Sequence, residues 1–158
     1  MQMDVEKLIA VLESPTEEAV RALLDDNSTV FWIDWRQEDE TIAESCELVL
    51  QTGRLSGVLV ESDAGYEVWL RFGDRRERVP LSDSADDRHI TLCMLNRVLA
   101  PEYEVRFCID SNGSDTLAFL PLECEQWAEL ERRYGKAVGQ RFYRFSDRPN
   151  LFTDPLPF

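Results

Sequence analysis

The chain has 158 residues, 44% of them hydrophobic and 30% charged, with 31 Asp and Glu against 17 Lys and Arg and a formal net charge of −14. That length suits one domain able to bury roughly two-thirds of its unfolded surface, and the hydrophobic share excludes a disordered chain. The charge repels phosphate backbones and anionic lipid, so it argues against direct nucleic-acid or membrane binding and favours a basic partner; a surface kept acidic for solubility fits the same number.

Val5, Leu8, Ile9 and Leu12 recur at helical spacing. Ser14-Pro15-Thr16-Glu17 then reads as a break and restart, with Ser14 as the cap and Glu17 closing a capping box. Ala19, Val20, Leu23 and Leu24 give a second apolar stripe, so residues 4–26 are expected to form a helical hairpin. Thr29 to Trp35 is β-branched and aromatic and reads as a strand buried on both faces, with Phe31, Ile33 and Trp35 on one side. Gln37 to Thr52 places Ile42, Ala43, Cys46, Val49 and Leu50 in one helical arc and ends at Gly53.

Gly57 to Ser62, Tyr66 to Phe72 and Arg76 to Leu81 follow, joined by short Gly-containing turns, as an antiparallel meander. Tyr66, Val68, Leu70 and Phe72 are expected to face the core, with Glu67, Trp69 and Arg71 on the other face. Asp83 to Asp87 loads acid ahead of a mostly buried helix running to about Leu99. Pro101 stops it. Tyr103, Val105, Phe107 and Ile109 alternate with Glu102, Glu104, Arg106 and Cys108, and Thr116 to Pro121 returns after Asn112-Gly113. Glu123 to Tyr134 reads as a helix ended by Gly135, Val138 to Phe145 fits helix or strand, and the Pro-rich tail from Asp147 carries Leu151, Phe152, Leu156 and Phe158, which predicts that it docks.

The expected fold is α+β in a single domain over 1–158: a helical hairpin at 1–28, a body at 29–145 and a docked tail at 146–158. The sheet is expected to be largely antiparallel, of about five to six strands, with helices mainly on one face.

Motifs for chemistry are sparse. Phosphate loops, dinucleotide fingerprints, nucleophile elbows and HExxH are absent from the sequence. His89 and Cys93 stand one helical turn apart, but a nucleophilic pair also needs an orienting group and an oxyanion site. Asp110 to Asp115 suggests a calcium loop in composition alone, because its Gly is two places early and the bidentate Glu is missing; a hairpin turn needs only local geometry. Cys46, Cys93, Cys108 and Cys124 form no CxxC pair and read as reduced core residues. No metal or cofactor is expected. The chain opens without a basic leader and apolar run and contains no stretch of membrane-spanning length, so a cytoplasmic location is expected.

One cluster stands out. Asp34, Glu38, Asp39, Glu40, Glu44 and Glu47 face a single Arg36, and like charges at helical spacing weaken a helix by a few tenths of a kcal/mol each. The stripe is therefore either a solvated face or a surface built to receive Lys and Arg, with Trp32, Trp35 or Trp69 as aromatic anchors. The candidate partner-binding residues are Asp34, Trp35, Glu38, Asp39, Glu40, Glu44, Glu47 and Trp69.

The stretches from Phe31 to Glu40, from Asp110 to Asp115 and from Asn150 to Phe158, in a small acidic α+β chain, resemble the bacterial immunity proteins made against polymorphic toxins delivered by contact-dependent inhibition or type VI secretion. The resemblance implies a non-enzymatic inhibitor, monomeric or homodimeric, that occludes the active site of a cognate basic toxin, a nuclease among the candidates. The element order over residues 37–134 is also similar to class I type III secretion chaperones, which implies a chaperone or adaptor as the alternative. A small-molecule enzyme ranks third.

Overall fold

The computed structural model describes residues 5–158; Asp4, at the start of the expected hairpin, lies outside them. Among the described residues the order is α1 (Glu6–Glu13), α2 (Glu17–Leu24), β1 (Phe31–Asp34), a 3-10 turn (Asp39–Thr41) and α3 (Ile42–Leu50). The chain continues through β2 (Leu55–Ser62), β3 (Gly65–Phe72), β4 (Arg75–Arg78), α4 (Asp87–Leu99) and β5 (Tyr103–Cys108). It closes with β6 (Thr116–Glu123), α5 (Cys124–Tyr134), α6 (Lys136–Arg141) and β7 (Phe142–Tyr143). This is an α+β fold with antiparallel strands and an N-terminal helix pair.

The strands divide between two sheets, in the orders β1-β6-β5-β7 and β2-β3-β4. Period-two alternation explains the layering. Phe31, Ile33, Val105, Phe107, Leu117 and Phe119 point to one face of the first sheet, where they join α3, α4 and the inner side of the meander. Cys108, Ala118, Leu120 and Leu122 point to the other face, against Leu8, Val11 and Leu23 of the hairpin and Trp127, Leu130 and Val138 of α5 and α6. Helices therefore cover both faces of this sheet, and α3 and α4 lie between the two sheets.

Covering the second face changes the meaning of Arg106. The strand alternation marks it as solvent-facing, yet it is 4% exposed. Its guanidinium donates to Glu104 (2.8 Å) and Glu131 (2.6 Å) and sits 4.3 Å from the Trp127 ring. Trp127 in turn donates its Nε1–H to the Glu104 carbonyl.

Local chemistry moves several element boundaries. The second helix is capped by Thr16, whose hydroxyl accepts from the Ala19 N–H, in place of Ser14. The helix expected from Gln37 begins only at Ile42, because residues 37–39 are held by contacts with α4 described below. It ends at Gln51, which takes the left-handed position (φ 53°) two residues ahead of Gly53. β1 stops at Asp34, whose carboxylate accepts the Arg36 N–H in a turn, and Trp35 is thrown outward to 50% exposure. Val138 to Phe145 contains both answers, with α6 giving way to β7 at Phe142.

One glycine is fixed by a close approach. A Cβ on Gly57 would lie 2.2 Å from the Glu40 carbonyl oxygen, a backbone atom with no side-chain freedom to retreat. Gly57→Ala should therefore destabilise the fold by about 3 kcal/mol, at the upper end of overpacking effects. In Gly139→Ala the new methyl group meets nothing within 4 Å, in a helix, and should stabilise by about 0.5–1 kcal/mol. Urea denaturation of the two variants checks both signs.

Candidate functional site

The first half of the β2–β3 hairpin belongs to the core, but its tip outruns the layers beneath it. Val68, Leu70 and Phe72 are buried, whereas Tyr66, on the same face, is 67% exposed and Leu59 is 47% exposed. Tyr66 points to the expected side, with no core left under it. The tip lines a cleft of about 540 Å³ together with residues 38–40, with Leu81, Asp83 and Ser84, and with Asp87 and Arg88 of α4. Five carboxylates and one guanidinium line it.

Those carboxylates divide into two sets. Asp39 and Asp87 are structural. Asp39 is 6% exposed, receives the Arg88 guanidinium at 2.5 Å on Oδ2 and accepts the Thr91 hydroxyl at 2.8 Å on Oδ1. Burial pushes its pKa up, and the bonds from Thr91 and Arg88 pull the other way. Asp87 accepts both the N–H and the hydroxyl of Ser82. Arg88 also donates to the Gln37 carbonyl (2.5 Å), so one side chain clamps residues 37 and 39 and presents Glu38 and Glu40 beside the cleft. Among the described residues, Glu38, Glu40 and Asp83 have no ion-pair partner, and they carry the available charge.

The candidate residues named from the sequence are not gathered at one place. Glu38 and Glu40 line the cleft. Asp39 lies beside them but is consumed by Arg88 and Thr91, so it cannot receive a partner's cation. Asp34 is tied to Arg36 and Thr116, and the Arg36 bonds hold its carboxyl down at about 2. Glu47 is also spent, because its carboxylate accepts from Thr52 N–H and Oγ1–H and from Gly53 N–H, closing the C-terminal end of α3. Glu44 is exposed on α3, and Trp35 is exposed with the Arg36 guanidinium 5.7 Å from its ring.

Trp69 faces away from the cleft. It points from the outer side of β3, with Val58 and Arg78 as its cross-strand neighbours and the Arg76 guanidinium 5.1 Å from its ring. That face is an apolar and arginine-rich surface, so Trp69 does not anchor the acidic one. Leu59, Tyr66, Asp83 and Arg88, which complete the cleft, were not signalled by any motif. The available signal was polar: Asp87, Arg88 and Thr91 sit in the first turns of a helix whose apolar stripe marks it as mostly buried, and buried polar groups demand partners.

His89 and Cys93 do meet, at 3.5 Å, in a groove between α4 and the C-terminal tail. Their arrangement is that of a staple. His89 is 2% exposed, donates Nε2–H to the Ser146 carbonyl (2.6 Å) and accepts the Leu151 N–H at Nδ1 (3.3 Å). Both ring nitrogens are thus spent on the tail, and burial pushes the Cys93 thiol up to about 11, which leaves little thiolate for attack. Cys46 and Cys108 are buried, and all four cysteines are free.

The staple predicts a pH dependence. Burial lowers the His89 pKa from 6.5 in the fold, so the unfolded chain binds the proton more readily and stability rises with pH. The His89 contribution should be complete above 6.5 and be lost as pH falls from there towards the folded-state value. Urea midpoints above and below 6.5 for the natural chain and His89→Gln check this, and the variant should lack that component.

Among the described residues no group of three or more His, Cys, Asp or Glu is placed to hold a metal ion, and no helix is long and apolar enough to cross a membrane. Compared with protein-family models, curated proteins and solved structures, the chain matches none of them.

Proposed function

We propose that this chain is a non-enzymatic binding protein that neutralises a cognate basic protein toxin by covering its active site. The observation that carries the reading is the cleft at the β2–β3 hairpin, where Glu38, Glu40 and Asp83, without ion-pair partners among the described residues, share the lining with the exposed apolar groups of Leu59 and Tyr66. Carboxylates at a rim steer a cationic partner and discriminate by charge, while a large aromatic surface at the centre lengthens residence. A net charge of −14 extends the same attraction beyond the cleft.

The test is co-expression with the product of each neighbouring reading frame. The reading expects one neighbour to arrest growth alone, to be silenced by this chain, and to form a stable complex with it. A neighbour that is bound without being toxic, and that is exported, would move the protein to the chaperone class. Failure to bind or silence any neighbour would count against toxin neutralisation.

A further inference from the structure

The hairpin that lines the cleft also carries an open strand edge. Among the described residues β2 pairs with β3 alone. Ser62 and Gly65 face each other across a two-residue loop, and the register continues through Val60 with Glu67 and Val58 with Trp69. In an antiparallel hairpin of this kind those pairs exchange their backbone hydrogen bonds, and the residues between them turn theirs outward. The N–H and C=O groups of Gly57, Leu59 and Glu61 therefore point away from the sheet, and among the described residues no turn or loop bond takes them. Edge strands normally defend themselves with charge, proline or a bulge. This one exposes Val58, Leu59 and Val60 at 37%, 47% and 40%.

Resting on the reading of a basic partner, we infer that the partner contributes an extended segment of alternating basic and apolar residues, which adds as a fourth strand along the free edge of β2. The alternation follows from the pleat. Residues opposite Gly57, Leu59 and Glu61 would point to the face that carries Leu59, where Glu38 and Glu40 line the cleft. Residues between them would lie beside Val58 and Val60 on the apolar outer face. Backbone bonds then give affinity, and the two faces give specificity.

Charge selects this occupant over a second copy of the chain. A copy paired antiparallel about Leu59 would set its Glu61 opposite Gly57, on the face where Gly57 rests against Glu40. It would also join two bodies of net charge −14. A basic segment turns both repulsions into attractions.

The experiment uses a heptapeptide alternating valine and lysine, beginning and ending in valine. Three companions are a scrambled version, one N-methylated at every lysine and one N-methylated at every valine. Binding is read by titration at two ionic strengths, with hydrogen exchange at the amides of residues 57, 59 and 61 in the labelled protein. The alternating and valine-methylated peptides should bind and slow exchange at those amides. Scrambling or lysine methylation should weaken binding roughly tenfold or more, because the bonds to β2 are lost. Leu59→Pro should match that loss, since its N–H is unbonded in the fold and the ring blocks a new strand; if it fails to fold, the methylated pair decides on the natural chain.

Equal salt-sensitive binding by all four peptides, with the three amides unprotected, overturns strand addition and leaves the basic-partner reading standing. Absence of salt-sensitive binding by any peptide overturns the inference and removes the charge argument beneath both. Protection of these amides in a dimer without peptide overturns it in favour of self-association.

Discussion

Asp39→Ala should lower the free energy of unfolding by about 3 kcal/mol, the lower end of the cost of leaving a buried charge without its partner. Removing the carboxylate strips the Arg88 guanidinium of its ion pair and the Thr91 hydroxyl of one of its two acceptors, although the Gln37 carbonyl still accepts from Arg88 and the Asp87 carbonyl from Thr91. The side chains are only 18% and 8% exposed, so water cannot replace the lost partner cheaply. Asp39→Asn, which can still accept from Thr91, should cost less. Urea denaturation monitored by circular dichroism gives both numbers, and a loss below about 0.5 kcal/mol, typical of surface changes, would show the clamp to be unimportant.

The second large effect lies on the binding side. Reversing Glu38, Glu40 and Asp83 together to Lys should slow association with a basic partner by about 10- to 100-fold at low salt and flatten its salt dependence. The overall fold should persist, because these carboxylates hold no cation among the described residues, with a loss of about 1 kcal/mol from placing Lys at the left-handed backbone of position 83 (φ 54°). Glu47 is left out of the set since its reversal would break the bonds to Thr52 and Gly53 and confuse stability with binding. Stopped-flow mixing with the partner, alongside a denaturation curve, separates the two effects. An unchanged rate in the folded triple variant would show that the cleft rim is only a solvated surface.

Local pattern made the elements legible. Helical spacing located the N-terminal pair, α4 and α5, and alternation located the meander and the β5–β6 hairpin. Layering was less visible, because alternation says that a strand has two faces without saying what covers them. Arg106 shows this, since nothing near it in sequence announces that Trp127 and Glu131 will close over it. The acidic run was visible as composition but not as chemistry. Asp39 reads like Glu38 and Glu40 until a cation 49 residues away selects it, and Glu47 reads like Glu44 until the chain doubles back to Thr52. Tyr66 had the right face and the wrong environment, since the length of the hairpin relative to its support is a tertiary property.

The most direct test of the account is the hydrogen-exchange footprint of the chain bound to its partner. Protection is expected at residues 38–40, 57–66 and 81–84, in and around the cleft, with α1, α2, α5 and α6 unchanged. Protection confined to the outer strands around Trp69 and Arg76, or to the helices behind the first sheet, with the cleft exchanging as in the free chain, would contradict it.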